Sequence, residues 1–264
     1  MKIWRCLRTA AAVSTLCSLS SLARSQDRPP AATQQGASHP SAEEKALLDS
    51  ANRERAAAGV QLLHWDGVLA VAARQHDELA VREHLLSHQY PDELSLAERA
   101  SRAGAKFSFI EENVAMGPDT QTIHDGWMHS PGHRKNMLNP EVSAVGIAVM
   151  KSGAELFAVQ DFSKPVLDLS LAQQEQRVIT LLKAAGLRGA VATEDARKTC
   201  GMETGYAGDH VSYVLHFQAI DLDKLPDELL HVIQSRAYRA AAVGACRDSD
   251  PAGFTRYRMA VLLH

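Results

Sequence analysis

Residues 120–140 read TQTIHDGWMHSPGHRKNMLNP, and the organisation of the first half of the chain turns on them. Asp119 or Thr120 is placed to cap a short helix running toward Met128. Ser130-Pro131 then reads as a second start, with a cap oxygen and a proline at the first helical position, where its missing N–H costs nothing. His133 falls in the first turn of that second helix, where the positive end of the backbone dipole disfavours an imidazolium. A neutral imidazole suits a proton acceptor or a metal ligand.

Upstream, Ser41 and Glu44 form a capping box, and Leu47, Leu48, Ala51, Arg55 and Ala58 recur at helical spacing until Gly59. Asp66 is placed to cap a second helix, whose apolar stripe of Leu69, Ala72, Ala73, His76, Leu79 and Ala80 runs to about Glu83. The pattern dissolves at His84-Leu85-Leu86-Ser87-His88, before Pro91. Ser95 and Glu98 open a short third helix that Gly104 closes, and residues 106–116 read as a strand containing Glu111-Glu112-Asn113. Downstream, residues 144–150 and 156–162 read as an antiparallel hairpin joined through Ser152-Gly153. The pattern predicts an α+β layered domain over residues 41–163, with helices around a small antiparallel sheet.

The remainder is a second unit, residues 166–264. Ser170 and Gln173 cap a helix lined by Val178, Ile179, Leu181 and Leu182. Residues 211–220 read as a strand, 226–240 as a helix and 257–263 as a final strand. This order predicts a small C-terminal α+β extension, and no catalytic motif is visible in it.

Composition excludes some functions. The chain has 264 residues, 45% hydrophobic and 22% charged, with formal net charge -3 and no basic run, so it lacks the footprint of a nucleic-acid binder. Lys2, Arg5 and Arg8 precede an apolar small-residue run, and Ser21-Leu22-Ala23 offers a cleavage site. That is the pattern of a secretory signal over residues 1–23, followed by a linker over 24–40 rich in Pro, Gln, Ala and Ser. The expected location is outside the cytoplasm, periplasmic or extracellular, with no membrane span of about 18 apolar residues after cleavage. Cys6 and Cys17 would leave with the signal. Cys200 and Cys246 then remain as a predicted disulfide in an oxidising compartment, the alternative being two unpaired buried thiols.

His88, Glu112 and His133 each fall near the end of a predicted element rather than on an apolar stripe, and each is an acid/base or metal-ligand type. Their separation in sequence means that only folding can bring them together. Trp65 and Trp127 read as core. His64, His76, His84, His124 and His129 read as surface or helix-face residues, and Arg134 and Lys135 as solvated charge.

These residues resemble the CAP superfamily, the SCP domain shared by cysteine-rich secretory, antigen 5 and plant pathogenesis-related proteins. The resemblance rests on Asn52-Arg53-Glu54-Arg55, Leu63-His64-Trp65-Asp66, Ser87-His88, Glu112-Asn113, Trp127-Met128-His129-Ser130-Pro131-Gly132-His133-Arg134-Lys135-Asn136, Gly146-Ile147 and Gln160-Asp161-Phe162. It implies an α–β–α sandwich with an open cleft of two histidines and two acidic residues, of which His88, Glu112 and His133 fill three places. The fourth, a glutamate three residues after the tryptophan, is Ser130 here; Glu111 stands where the family has glycine, and Phe157-Ala158 where it has Tyr-Trp. The expected cleft residues are therefore His88, Glu112, His133, Ser130 and Asn113.

The sequence leaves three functions open. One is a binding cleft for a small extracytoplasmic ligand (a lipid, sterol or glycan), with His88 and His133 holding zinc or another divalent cation weakly. Another is a zinc-assisted hydrolase with Glu112 as general base. The third is a structural or adhesion module in which the cleft is incidental.

Overall fold

The computed structural model describes residues 39–247 and 252–264. The signal sequence, most of the linker, Cys6 and Cys17 lie outside the described residues.

The first half begins with helix α1 (Ala42–Ala57), whose Ser41–Glu44 capping box forms as the sequence predicts. A two-residue strand β1 (His64–Trp65), too short to carry a sequence period, pairs in parallel with a later strand. Helix α2 (Gly67–Glu83) starts at Asp66, whose side chain accepts from the Val68 and Leu69 N–H groups. Helix α3 (Leu96–Ala103) has the second capping box and ends at Gly104 in the left-handed conformation. Strand β2 (Phe107–Gly117) is followed by helices α4 (Thr120–His129) and α5 (Pro131–Met137). Strands β3 (Ala144–Ser152) and β4 (Glu155–Pro165) form the hairpin, each longer than the apolar run that announced it. The sheet order is β1-β3-β4-β2, with β2 antiparallel to β4.

Helices cover both faces of this sheet. On one, Leu47, Ile123 and Trp127 from α1 and α4 pack on Val145, Ile147, Ala158 and Phe162. On the other, Leu69, Ala72, Ala97 and Ala100 from α2 and α3 pack on Phe107 and Ala144. This is the α–β–α sandwich that the resemblance implies. Trp127 is fully buried and donates to the Val114 carbonyl at 3.2 Å, whereas Trp65 is only partly covered. Gly146 is where α2 meets the sheet: a Cβ there would stand 2.1 Å from the Ala70 nitrogen. Arg55 pins the far end of the layer from inside, its guanidinium donating to the carbonyls of Gln61, Met137, Asn139 and Val142 at 2.6 to 3.0 Å.

The second half is richer than its sequence suggests. It runs α6 (Leu171–Ala184), β5 (Gly189–Ala192), α7 (Glu194–Gly201), β6 (Tyr213–Ala219), α8 (Asp227–Gln234), β7 (Ala240–Cys246) and β8 (Tyr257–Leu263). The sheet order is β5-β7-β8-β6, with β5 and β7 parallel. The helix expected over 226–240 is corrected: it stops at Gln234, and Ala240 opens a central strand. Alanine favours helix intrinsically, so the stretch Ala240-Ala241-Ala242 concealed a strand that the neighbours on both sides impose. Small residues serve that strand, because α7 lies so close that a Cβ on Gly244 would be 2.1 Å from the Ala196 carbonyl carbon. The disulfide Cys200–Cys246 ties α7 to the end of β7, with 5.7 Å between the α-carbons. Among the described residues no helix is long and apolar enough to cross a membrane.

Candidate functional site

The site forms where the loop after α2, the middle of β2 and the first turn of α5 converge at one edge of the first sheet. The Nδ1–H of His88 donates to Oε1 of Glu112 at 2.8 Å. The His88 and His133 rings stand 6.5 Å apart between centroids, tilted by 52°. The three residues singled out in the sequence are thus neighbours. Asn113 and Asn136 splice α5 to β2: Asn113 Nδ2 donates to the His133 carbonyl and Asn136 Nδ2 to the Glu112 carbonyl, each at 3.1 Å.

His88 and Glu112 differ sharply in environment. The His88 side chain is 60% exposed and that of Glu112 only 3%. A carboxylate this deep needs compensation, and Arg99 of α3 supplies it, its Nη2 donating to Oε2 of Glu112. Arg99 also lies 3.7 Å from Glu93 and 4.0 Å from Asp161, which stands directly opposite Glu112 across the β2–β4 pair. Burial first, then the Glu112 carboxylate, drives the Asp161 carboxyl well above the usual carboxylate range.

His76, expected on the surface or a helix face, is instead completely buried behind this group. Its Nδ1 faces Glu93 Oε1 at 2.7 Å, and its Nε2 faces the Ser87 carbonyl at 2.8 Å, with Glu112 Oε2 3.8 Å away. Both ring nitrogens thus face acceptor oxygens. The interior behind the site therefore gathers the carboxylates of Glu93 and Glu112 around Arg99, with the His76 ring packed beside them. Sequence reading missed His76, Glu93, Arg99 and Asp161. The one available signal was a charged or polar side chain within an apolar stripe, as with Arg99 between Ala97 and Ala100. His124, read as a surface or helix-face residue, lies on the buried face of α4, where burial lowers its pKa.

The two imidazoles are pushed in opposite directions. The hydrogen bond to Glu112 raises His88 against the cost of its partial burial. Burial lowers His133, and the charge on His88 adds to that. The direction for His133 is the one its helix position suggests, but partial burial is the leading cause. Ser130 is a further departure: it precedes Pro131 as the α5 cap residue, yet its side chain makes no capping hydrogen bond. A recess of about 730 Å³ lies against α4 and α5, between Met128, Pro131, Arg134, Lys135 and Leu138.

Does the donor set fit a divalent metal? A tetrahedral zinc with bonds of about 2.1 Å would bring two ligating ring centroids to roughly 5 Å, so these rings would have to close. Each Glu112 oxygen already accepts one hydrogen bond, from His88 and from Arg99. Among the described residues no group of three or more His, Cys, Asp or Glu side chains is placed to hold a metal ion. As it stands, the set does not make a three-ligand catalytic centre.

A sandwich with helices on both faces and a His–Glu–His group at its sheet edge is the arrangement that the resemblance to the CAP superfamily implies. Residues 48–162 match the model of that family, described as "CAP: Cysteine-rich secretory protein family". Among curated proteins, the segment is similar to the uncharacterized protein YkwD of Bacillus subtilis (strain 168), 32% identical over 115 residues, covering 43% of this chain and 45% of that one. It is also similar to the uncharacterized membrane protein YlbC of the same organism, 33% identical over 107 residues, covering 40% of this chain and 31% of that one. The chain thus spans less than half the length of these curated relatives. Among solved structures, an extracellular protein containing a SCP domain from Bacillus anthracis str. Ames is 30% identical with a TM-score of 0.43, covering 46% of this chain and 39% of that one.

Proposed function

We propose that the CAP domain of this chain is an exported binding module, in which His88 and His133 engage the polar group of a small extracytoplasmic ligand. The observation that carries this reading is the contrast at the His88–Glu112 pair. An imidazole 60% exposed is anchored by a carboxylate 3% exposed, which is itself clamped by a buried arginine. A histidine kept only for packing has no use for such exposure, and a surface histidine has no use for such anchoring. The opposite pKa directions equip the pair to present a proton donor at His88 beside an acceptor at His133. Leu85 and Leu86, exposed on the same loop as His88, add an apolar lip suited to a lipid or sterol more than to a glycan.

Export is part of the proposal. It is supported by the charged-then-apolar start of the chain and by the disulfide, a bond that persists in oxidising compartments. A divalent ion held weakly between the imidazoles would require the two rings to approach each other.

The experiment is mass spectrometry of lipid-like and glycan-like molecules retained by the secreted protein, beside the double variant His88→Ala with His133→Ala. A species retained by the wild type and lost in a folded double variant is expected. Equal retention by both would remove the imidazoles from the binding site.

A further inference from the structure

Arg99 sits on α3, and α3 is held from behind by the second half of the chain. Between β7 and β8 the chain returns to the first domain. Gly253 has φ of +87°, and a Cβ on it would stand 2.7 Å from the Ala97 carbonyl oxygen and 3.0 Å from Ser101 Cβ. The return segment thus lies against the helix as closely as a glycine permits. Phe254 sets its ring against Phe107 at 5.6 Å between centroids and 72° between planes, and joins the cluster of Leu69, Ala97, Ala100 and Phe107. The Thr255 N–H donates to the Phe107 carbonyl, and the Val166 N–H to the Lys106 carbonyl, both at 2.8 Å.

We infer that residues 253–255 are a positioning segment: the C-terminal half braces α3 and, through Arg99, holds the Glu112 carboxylate under His88. Helix α3 has eight residues, too few to be stable by itself, and the buried apolar residues of its face are alanines. Its placement therefore depends on what packs behind it. Ala97 and Ser101 stand two residues either side of Arg99, on a helix the far face from it at about 100° per residue. Gly253 meets that far face while the guanidinium meets Glu112 on the near one. The C-terminal half is in this way part of the site's scaffold. This inference does not depend on what the imidazoles bind.

The test uses the full chain carrying Phe254→Ala, read by the ¹⁵N signal of the Arg99 side-chain Nε–H and by amide hydrogen exchange. The Arg99 signal should shift or broaden away, and α3 amides should exchange about tenfold faster or more, while β7 and β8 keep their protection. Phe254→Leu, which restores apolar volume, should recover most of both. A folded Phe254→Ala with the Arg99 signal and α3 protection unchanged overturns the inference. If Phe254→Ala does not fold, Gly253→Ala, whose added Cβ would stand 2.7 Å from the Ala97 carbonyl oxygen, takes its place, and α3 loosening no more than the second sheet overturns the inference instead. Failure of the imidazoles to retain a ligand leaves both readouts intact, so the two proposals fail separately.

Discussion

At the scale of single residues, this protein places ionisable groups where only their partners make them tolerable. Arg55, Arg99, His76 and Glu112 are all buried, and each is hydrogen-bonded to carbonyls or to opposite charge. Asp77 and Asp161 stand apart, both completely buried carboxyls whose oxygens lack a close hydrogen-bond partner among the described residues. For Asp77, burial pushes the pKa up to about 8, with Arg74 and the Met150 backbone N–H only partly opposing it. A carboxyl with a folded-state pKa above its unfolded value near 3.9 favours folding when protonated. That advantage is complete below about pH 4 and drains away as pH rises to about 8, by at most roughly 1.4 kcal/mol for each pH unit crossed. Asp77→Asn, which cannot ionise, should therefore be more stable than wild type at pH 8 by a few kcal/mol, on the order expected for relieving a buried charge. Urea denaturation at pH 5 and pH 8 checks this. An equal pH dependence in both proteins would mean that Asp77 is solvated in solution.

At the scale of elements, both halves solve one packing problem in the same way. A helix is drawn onto a central strand at a glycine, α2 at Gly146 and α7 at Gly244. Here a side chain would collide with helix backbone, which cannot rotate away as a flexible side chain does. Gly146→Ala should cost at or above the upper end of the roughly 1–3 kcal/mol typical of overpacking. Chemical denaturation of the purified variant measures it, and a loss below about 1 kcal/mol would show that α2 shifts freely. The elements legible in the sequence were those with local signals. The capping boxes at Ser41, Ser95 and Ser170, and the Asp66 cap, each mark a helix start that the structure shows. Strands β1, β5 and β7 were not legible, because two to seven residues of mostly small or mixed character carry no period of their own. Their pairing partners define them.

At the scale of the whole molecule, two sheets are joined by a short covalent and hydrogen-bonded seam, and one disulfide closes the second. The Cys200–Cys246 bridge spans a sequence separation of 46 residues. In the chain-entropy model, closing such a loop contributes about 4 kcal/mol. The double variant Cys200→Ser with Cys246→Ser should lose stability on that order, and the loss should appear first in the second half. Hydrogen exchange with and without reductant separates the halves. Equal loosening of both sheets would argue that they unfold as one cooperative unit.

The chain by itself marked the helix starts of the first half and the hairpin, left Cys200 and Cys246 as the candidate pair, and singled out the three candidate site residues, because these rest on local patterns, on what signal cleavage leaves, or on a motif carried in order along the sequence. Tertiary structure alone decided what makes that site tenable. Arg99, His76, Glu93 and Asp161 come from separate elements and gather around Glu112 only after folding. The physical reason is that burial and charge compensation are properties of a place in space, and no stretch of sequence encodes them before the chain closes around it.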